Sequence, residues 1–331
     1  MSTCELEAGL QSRLEAPLHD DAGMWIYRFR RRHFVVGAGL CLLAALQYFV
    51  IAPRLERLPA DYVAETKFAA KCRSHQTPTS PVEEFDTIVR RRDQTLISGP
   101  DHSIIQGDTH WVTPSGVVMF EVLSVYGVDR RTRENLPSYG NEDRSGLYLF
   151  PPHTRQQTYG QWDPMYAGPR VATFDRTEQR DGLPVYVFNF VAEGIDETSG
   201  YSSLPDVPER YRAITFGKGT LRVEPISGVI VGSEEEGTSY FVDPKTGAHV
   251  AEIFQWSDRF TPETQAAQWQ LARAQRWHFL ALEIYLPAAL VIAGLTWLAG
   301  AALLFRRQKR PLAPESASLR GSLFLPSRQS L

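Results

Sequence analysis

The feature that most constrains this chain is a long uncharged stretch near its C-terminal end. Residues 284–305 contain no Asp, Glu, Lys or Arg. At ~1.5 Å per residue, a helix of that length covers the ~30 Å hydrocarbon core of a bilayer. Basic residues follow it directly, and such flanks hold the end of a span at the membrane surface. We therefore predict a transmembrane helix over 284–305.

A helix signal also lies immediately before this span. Thr261 offers a hydroxyl N-cap and Pro262 suits the first helical position, so residues 261–283 are predicted to form a juxtamembrane helix. Its middle part has few large apolar side chains, mainly Trp269 and Leu271. That is too narrow an apolar face for burial, so we expect a solvated or interfacial stalk.

A second apolar stretch lies near the N-terminus. Residues 34–52 have only Gln47 as a strongly polar member and are long enough for another span. A signal peptide is the alternative, but its cleavage site needs small residues where this chain has the bulky residues 48–51. We favour an uncleaved anchor, preceded by a cytoplasmic tail over 1–33.

Basic residues near the two spans predict the orientation. Lys and Arg are more frequent in cytoplasmic flanks than in external ones. Both termini are therefore predicted to be cytoplasmic, with residues 306–331 as a basic tail and residues 53–260 outside a cytoplasmic (inner) membrane. The cytoplasmic flanks contain Arg28, Arg30, Arg31, Arg32, Arg306, Arg307, Lys309 and Arg310, against Arg54, Arg57, Arg273 and Arg276 on the other side.

Composition excludes several classes of function. The formal net charge of -3 gives no general attraction to nucleic acid, so we expect none as a partner. The cysteines Cys4, Cys41 and Cys72 are too scattered for a disulfide framework or a thiolate metal site. The sequence has no nucleophile elbow, phosphate-binding loop, metalloprotease motif or dinucleotide fingerprint. We therefore expect a protein that is not an enzyme and has no cofactor.

Between the spans the sequence has the character of β-structure. Short segments rich in Val, Ile, Tyr, Phe and Thr alternate with turn signals such as Pro114-Ser115-Gly116 and Arg180-Asp181-Gly182. No helical segments separate them, which disfavours a parallel sheet. The fold class predicted is an α+β membrane protein. Terminal transmembrane helices flank a mainly antiparallel β domain, which could be a meander, a sandwich or a partly closed barrel. The predicted strands are 86–97, 103–112, 117–126, 170–179, 183–192, 213–223, 229–235, 238–242 and 250–256.

Residues 130–169 are rich in aromatics and proline and are predicted to form an ordered loop or cap. Within it, Tyr159, Trp162 and Asp163 could line a ligand cleft, because aromatic rings with a carboxylate suit sugars or lipid head groups. Packing inside the loop is the alternative interpretation.

Other polar clusters offer weaker hypotheses. His102 and His110, with Asp101 and Asp108 nearby, have a spacing that could place both imidazoles on one face of a hairpin and bind a metal. Ordinary surface residues are the alternative. Residues 234–236, three consecutive glutamates, are interpreted as a solvated turn. His278 and Glu283 are expected to form an interfacial hydrogen-bonded pair.

The order of several short motifs resembles a known family. Five segments carry the resemblance: Ala52-Pro53-Arg54-Leu55, Thr158 to Pro164 after Phe150-Pro151-Pro152, Asp181 to Phe188, Val223 to Val231, and Phe260 to Thr264. In this order they resemble the porin PorA family of two-span bacterial membrane proteins over residues 34–306. The resemblance implies no catalytic residues. A pore would need several copies, because two apolar helices in one chain do not enclose a water-lined path.

These observations leave three functional hypotheses. The first is a non-enzymatic envelope protein whose external domain binds an envelope component or assembles with protein partners. The second is an oligomeric pore, in which Gly37, Gly39, Ala293, Gly294 and Gly300 would allow close helix approach. The third is an accessory subunit of a respiratory, photosynthetic or secretion complex.

Overall fold

Eleven strands form one antiparallel sheet in the computed structural model, which describes residues 20–141, 143–163 and 168–308. The strands are β1 (Val63–Ser74), β2 (Glu83–Ser98), β3 (His102–Val112), β4 (Val118–Asp129), β5 (Asn135–Gly140), β6 (Tyr159–Asp163), β7 (Gly168–Arg180), β8 (Leu183–Asp196), β9 (Arg212–Val223), β10 (Ile230–Val242) and β11 (His249–Phe260).

The first and last strands are neighbours in the middle of the sheet. The order is β5-β4-β3-β2-β1-β11-β10-β9-β8-β7-β6, and Phe68 of β1 lies opposite Phe260 of β11. At the two outer edges, Leu147 bridges to Glu134 on one side and to Gln161 on the other. The sheet is therefore a nearly closed barrel, which corresponds to the last of the three predicted architectures.

Side chains alternate between the two faces of the sheet, as strand geometry requires. In β1, Phe68, Ala70 and Cys72 are buried, whereas Lys71 and Arg73 are exposed. The inner face contains the main core, which consists of Phe68, Ala70, Cys72, Val89, Trp111, Phe150, Ala172, Phe188, Phe190, Ala192, Leu221, Val223, Trp256 and Phe260.

The predicted strands and the observed ones differ in three ways. The two strands predicted at 229–235 and 238–242 are one continuous strand, β10 (Ile230–Val242), so the glutamates at 234–236 lie in mid-strand and not in a turn. β1 was not predicted, because its Ala, Lys and Glu residues have weak β propensity. β5 and β6 lie inside the segment predicted to be loop, where pairing with β4 and β7 makes them strands.

The helices are α1 (Asp20–Leu46), α2 (Ala52–Leu55), α3 (Pro262–Leu280) and α4 (Leu286–Gln308), with π-helical turns at Gln47–Ile51 and Ala281–Tyr285. α3 begins at the predicted N-cap, where the hydroxyl of Thr261 accepts from the Thr264 amide. It is not a solvated stalk. Ala272 is 0% exposed and packs with Trp269 against Val185 and Val231 of the sheet. The small side chain of Ala272 lets the helix approach the strands closely. The prediction missed this contact because it counted only large apolar residues.

The chain divides into two units, residues 48–284 and the remainder. In the second unit α1 packs against α4. A Cβ at Gly37 would lie 2.5 Å from Leu298 Cγ, and one at Gly294 would lie 2.9 Å from Cys41 Sγ, so both glycines are needed for this close packing. Two helical stretches, Arg31–Leu55 and Pro262–Leu303, are long and apolar enough to cross a membrane.

Candidate functional site

Tyr159, Trp162 and Asp163 lie on or next to the inner face of β6 and do not line an open cleft. Trp162 and Asp163 are buried, and Tyr159 is half-buried between Phe150 and Phe188. These residues therefore contribute to packing, which was the alternative interpretation of their sequence.

Asp163 instead belongs to a buried ionic cluster. Its carboxylate accepts from Arg91 over 2.8 Å and from Arg170 over 2.9 Å, and Arg170 also donates to Glu235 over 2.7 Å. Gln161, opposite Arg170 in the register, accepts a further hydrogen bond from it. Buried charges persist only when they are paired and hydrogen-bonded in this way.

Asp258 adds a third carboxylate to the cluster. It is 5% exposed, and its Oδ1 has no hydrogen-bond partner among the described residues. Burial, together with the charge of nearby Glu235, raises the pKa of Asp258 well above its ordinary value, and Arg91 opposes the rise. With Asp258 protonated, the cluster would have two arginines and two carboxylates and would be neutral.

A second polar cluster lies on the same face further along the sheet. Asp93 accepts from the hydroxyls of Tyr126 over 3.0 Å and Tyr148 over 2.8 Å. Burial raises the pKa of Asp93, and the two tyrosine hydrogen bonds oppose the rise. Apart from Asp258 Oδ1, both clusters fill space inside the barrel with groups that pair with one another, which suits stability rather than chemistry on a substrate.

The accessible feature of the β domain is a groove on its outer face. Two adjoining depressions of about 900 and 950 Å³ cross six neighbouring strands, which in sheet order are β2, β1, β11, β10, β9 and β8. They share six lining residues: Lys71, Asp86, Val191, Lys218, Glu236 and Ser257. We call this the outer groove.

One end of the outer groove has an aromatic cluster. Tyr240 stacks on His249 with ring centroids 4.6 Å apart, and Phe216 lies 6.1 Å from Tyr240 and 5.3 Å from His249. Phe216 and Tyr240 line the groove itself. The sequence did not point to these residues, because one aromatic on each of two strands has no linear motif; only the register brings them together.

Charged groups along the outer groove are paired with each other. Lys218 lies 3.0 Å from Glu236, and Arg73 lies 3.5 Å from Glu84. Lys71 and Arg259 add positive charge, and Asp86, Glu193 and Glu234 add negative charge. The lining is thus close to electrically balanced and presents both donors and acceptors.

A separate cluster joins Glu56, His153 and Glu283. His153 Nε2 lies 2.5 Å from Glu283 Oε1, so Glu283 pairs with His153 and not with His278 as the sequence suggested. Burial and a hydrogen bond with Glu283 raise the pKa of Glu56 to about 7. A protonated Glu56 can donate this hydrogen bond to Glu283.

The two histidines proposed as metal ligands are not brought together. Both lie on β3 and on the same face, but eight residues apart, which is ~27 Å in an extended strand. His102 contacts the ring of Tyr139, and His110 lies 2.8 Å from Asp108 and 3.1 Å from Glu121.

The basic residues that flank the spans lie within helices, near the middle of α1 and at the end of α4. Arg30, Arg31 and Arg32 are part of α1, and Arg306 and Arg307 are part of α4. Lys309, Arg310, Cys4 and most of the two predicted tails lie outside the described residues.

Comparisons with known proteins place the chain in a family. A search of curated proteins finds no match. Among solved structures, a LolA superfamily protein from Nitrosomonas europaea aligns at 11% identity over 64% of this chain and 89% of that one, with a TM-score of 0.15, which is too low to indicate a shared fold. The profile of the porin PorA family matches residues 33–303. Because this match runs from the first apolar helix to the last, the chain belongs to the porin PorA family.

Proposed function

We propose that this protein is a non-enzymatic envelope protein whose β domain, anchored outside the membrane by two helices, binds a glycan of the envelope. The observation that carries the proposal is the outer groove. It is open, it extends over six strands, and Phe216 and Tyr240 of the aromatic cluster line one end of it.

The chemistry of the groove favours a glycan over an ionic ligand. Charges of both signs lie side by side, so neither an anion nor a cation is attracted along the whole length. Ser257, Thr220 and Asn189 add neutral hydrogen-bonding groups. Binding sites of this kind combine apolar or aromatic surface with a few polar groups that orient the ligand. A sugar ring offers a C–H face to an aromatic ring and hydroxyls to polar neighbours.

Binding is favoured over catalysis because the charged side chains already engage one another. Lys218 with Glu236 and Arg73 with Glu84 are ion pairs within the groove. A catalytic pair would instead direct a nucleophile or an acid and base at the substrate.

The experiment uses the purified full chain in detergent and labelled polysaccharide fractions from the bacterial envelope. We expect one fraction to bind, and Tyr240→Ala or Lys71→Ala to weaken it about tenfold, which is ~1.4 kcal/mol. Phe120→Ala is the matched control, because Phe120 is an exposed aromatic on β4 and does not line the groove.

Three outcomes would contradict the proposal. In the first, no polysaccharide fraction binds. In the second, the groove variants bind polysaccharide as tightly as the wild type. In the third, no polysaccharide binds but zwitterionic lipid vesicles do, and the groove variants abolish that binding. The last result would assign the groove to a lipid head group.

A pore assembled from several copies is the second candidate, favoured by the family and by the helices. A Cβ added at Gly39 or Gly300 would meet no atom of the described residues within 4 Å outside its own helix, so these positions are open to another chain. The sheet itself does not suit the role. Its inner face is filled by side chains, and its outer face carries charges where a membrane barrel needs an apolar band.

Planar-bilayer recording tests this candidate. Conductance that Gly39→Leu and Gly300→Leu reduce would support an oligomeric pore made by the helices. No conductance above background from the purified protein would eliminate it.

A further inference from the structure

Two neighbouring strands bring Asp108, His110 and Glu121 together on the outer face of the sheet. His110 of β3 lies directly opposite Glu121 of β4, and Asp108 is two residues before His110, so it shares the same face. His110 Nε2 is 2.8 Å from Asp108 Oδ1 and 3.1 Å from Glu121 Oε1. Paired strands hold these side chains more rigidly than a loop would.

Two of these atoms are buried without a satisfied hydrogen bond. Asp108 Oδ1 and His110 Nε2 are shielded from solvent, and neither has a hydrogen-bond partner among the described residues. Although the two atoms are 2.8 Å apart, the contact lacks hydrogen-bond geometry. Leaving a buried polar atom unsatisfied costs about 1–3 kcal/mol, so the arrangement needs another partner.

We propose that Asp108, His110 and Glu121 bind one divalent transition-metal ion, for which Zn²⁺ is the best fit. The three ligand atoms lie within 4.8 Å of one another. Tetrahedral Zn²⁺ with bonds of ~2.0–2.2 Å places its ligand atoms about 3.3 Å apart. Small rotations of the side chains bring the observed separations of 2.8 and 3.1 Å to that value.

The ligand types select the metal. One imidazole nitrogen with two carboxylate oxygens suits Zn²⁺, whereas Ca²⁺ requires six to eight oxygen ligands and Mg²⁺ prefers an octahedral oxygen shell. The Glu121 side chain is 57% exposed, so the fourth position faces solvent. The site is thus of the three-ligand type, with room for water or a group from a partner.

Two arginines of β2 act against the ion. Arg90 lies opposite His110 in the register, and Arg92 lies opposite Asp108. The Arg92 side chain donates to Gln94 Oε1 and therefore points along β2. Arg90, directly opposite His110, is the positive charge to test, and removing it should strengthen binding.

The experiment titrates the metal-free full chain, in detergent, with Zn²⁺ in competition with a chromogenic chelator. We expect one Zn²⁺ per chain. Asp108→Asn and Glu121→Gln should each weaken binding by on the order of tenfold or more, since even groups that only support ligands contribute that much. Arg90→Gln should tighten it. His102→Ala, on the same strand and face but at the other end, is the matched control and should not change it.

Thermal unfolding supplies a second measurement that does not depend on the chelator. A ligand that binds only the folded state raises Tm with its concentration. Zn²⁺ should raise the Tm of the wild type and of His102→Ala, but not that of the Asp108→Asn/Glu121→Gln double variant, which preserves side-chain size. Absence of stoichiometric Zn²⁺ binding, an undiminished response of the double variant, or a larger Tm rise with Ca²⁺ or Mg²⁺ than with Zn²⁺ would each overturn the proposal.

Discussion

Arg170 donates to Glu235 over 2.7 Å on the inner face of the barrel, and both side chains are almost completely buried. Arg170→Met should therefore destabilise the β domain by about 3–5 kcal/mol, because it leaves Glu235 and Asp163 as buried charges with less compensation. Thermal unfolding of the full chain measures this. Arg176→Met is the control, since Arg176 is an exposed arginine on the same strand and its replacement should change stability little. Equal effects of the two substitutions would show that the cluster contributes nothing special.

Asp258 should make stability fall as the pH rises. Its pKa in the folded protein lies well above the value of ~3.9 in an unfolded chain, so between those two values the folded state holds an extra proton. The stabilisation from the proton on Asp258 is fully present below the pKa of the unfolded chain. It is lost as the pH rises through the pKa of the folded protein. Asp258→Asn imitates the protonated group. We expect a higher Tm than wild type at pH 8 and a smaller difference at pH 4.5; an unchanged slope of Tm against pH would contradict this assignment.

Glu56 should contribute a separate pH dependence with defined limits. Burial and the hydrogen bond with Glu283 raise its pKa to about 7, from an ordinary value of 4.5. The stabilisation from the proton on Glu56 is thus fully present below pH 4.5 and is lost as the pH rises through about 7. Glu56→Gln keeps a donor toward Glu283 and should flatten the Tm profile between those limits. Glu65→Gln, an exposed glutamate of β1, serves as the control and should leave the profile as it is.

α3 should depend on a small residue at its contact with the sheet. Ala272 is 0% exposed between the helix and the strands, so Ala272→Leu overfills the contact and should cost about 1–3 kcal/mol. Ala274 is exposed on the same helix, and Ala274→Leu should be neutral. Chemical denaturation of the two variants in parallel compares them. A neutral Ala272→Leu would mean that α3 can move away from the sheet without loss.

The sequence predicted the antiparallel architecture well, because turn residues mark its hairpins. Asp181 and Gly182 both have positive φ at the tip between β7 and β8, which is what an Asp-Gly turn provides. The inner face was harder to foresee. Hydropathy places Arg170, Glu235 and Asp258 outside, and only their mutual pairing across distant strands makes burial tolerable.

The candidate sites show the same limit. His110 was identified by its spacing from His102, yet its neighbours are Asp108 and Glu121, and Glu121 is contributed by the next strand. Likewise, Tyr240 and Phe216 form one cluster only because β9 and β10 pair in a particular register. Information of this kind lies in strand pairing and not in any linear motif.

The central position of β1 and β11 has a consequence for how the protein is made. The strands β1–β5 and β6–β10 can each pair with sequence neighbours as they emerge, but β1 and β10 each keep an open edge until β11 joins them. Closing that gap brings together residues as distant in sequence as Phe68 and Phe260, whose rings then lie 4.9 Å apart. α3 and α4 follow β11 directly in the chain, so the sheet can be completed only after all of its other strands have been made. A chain arrested before β11 would expose two unpaired edges, which are sites where strands of other molecules add.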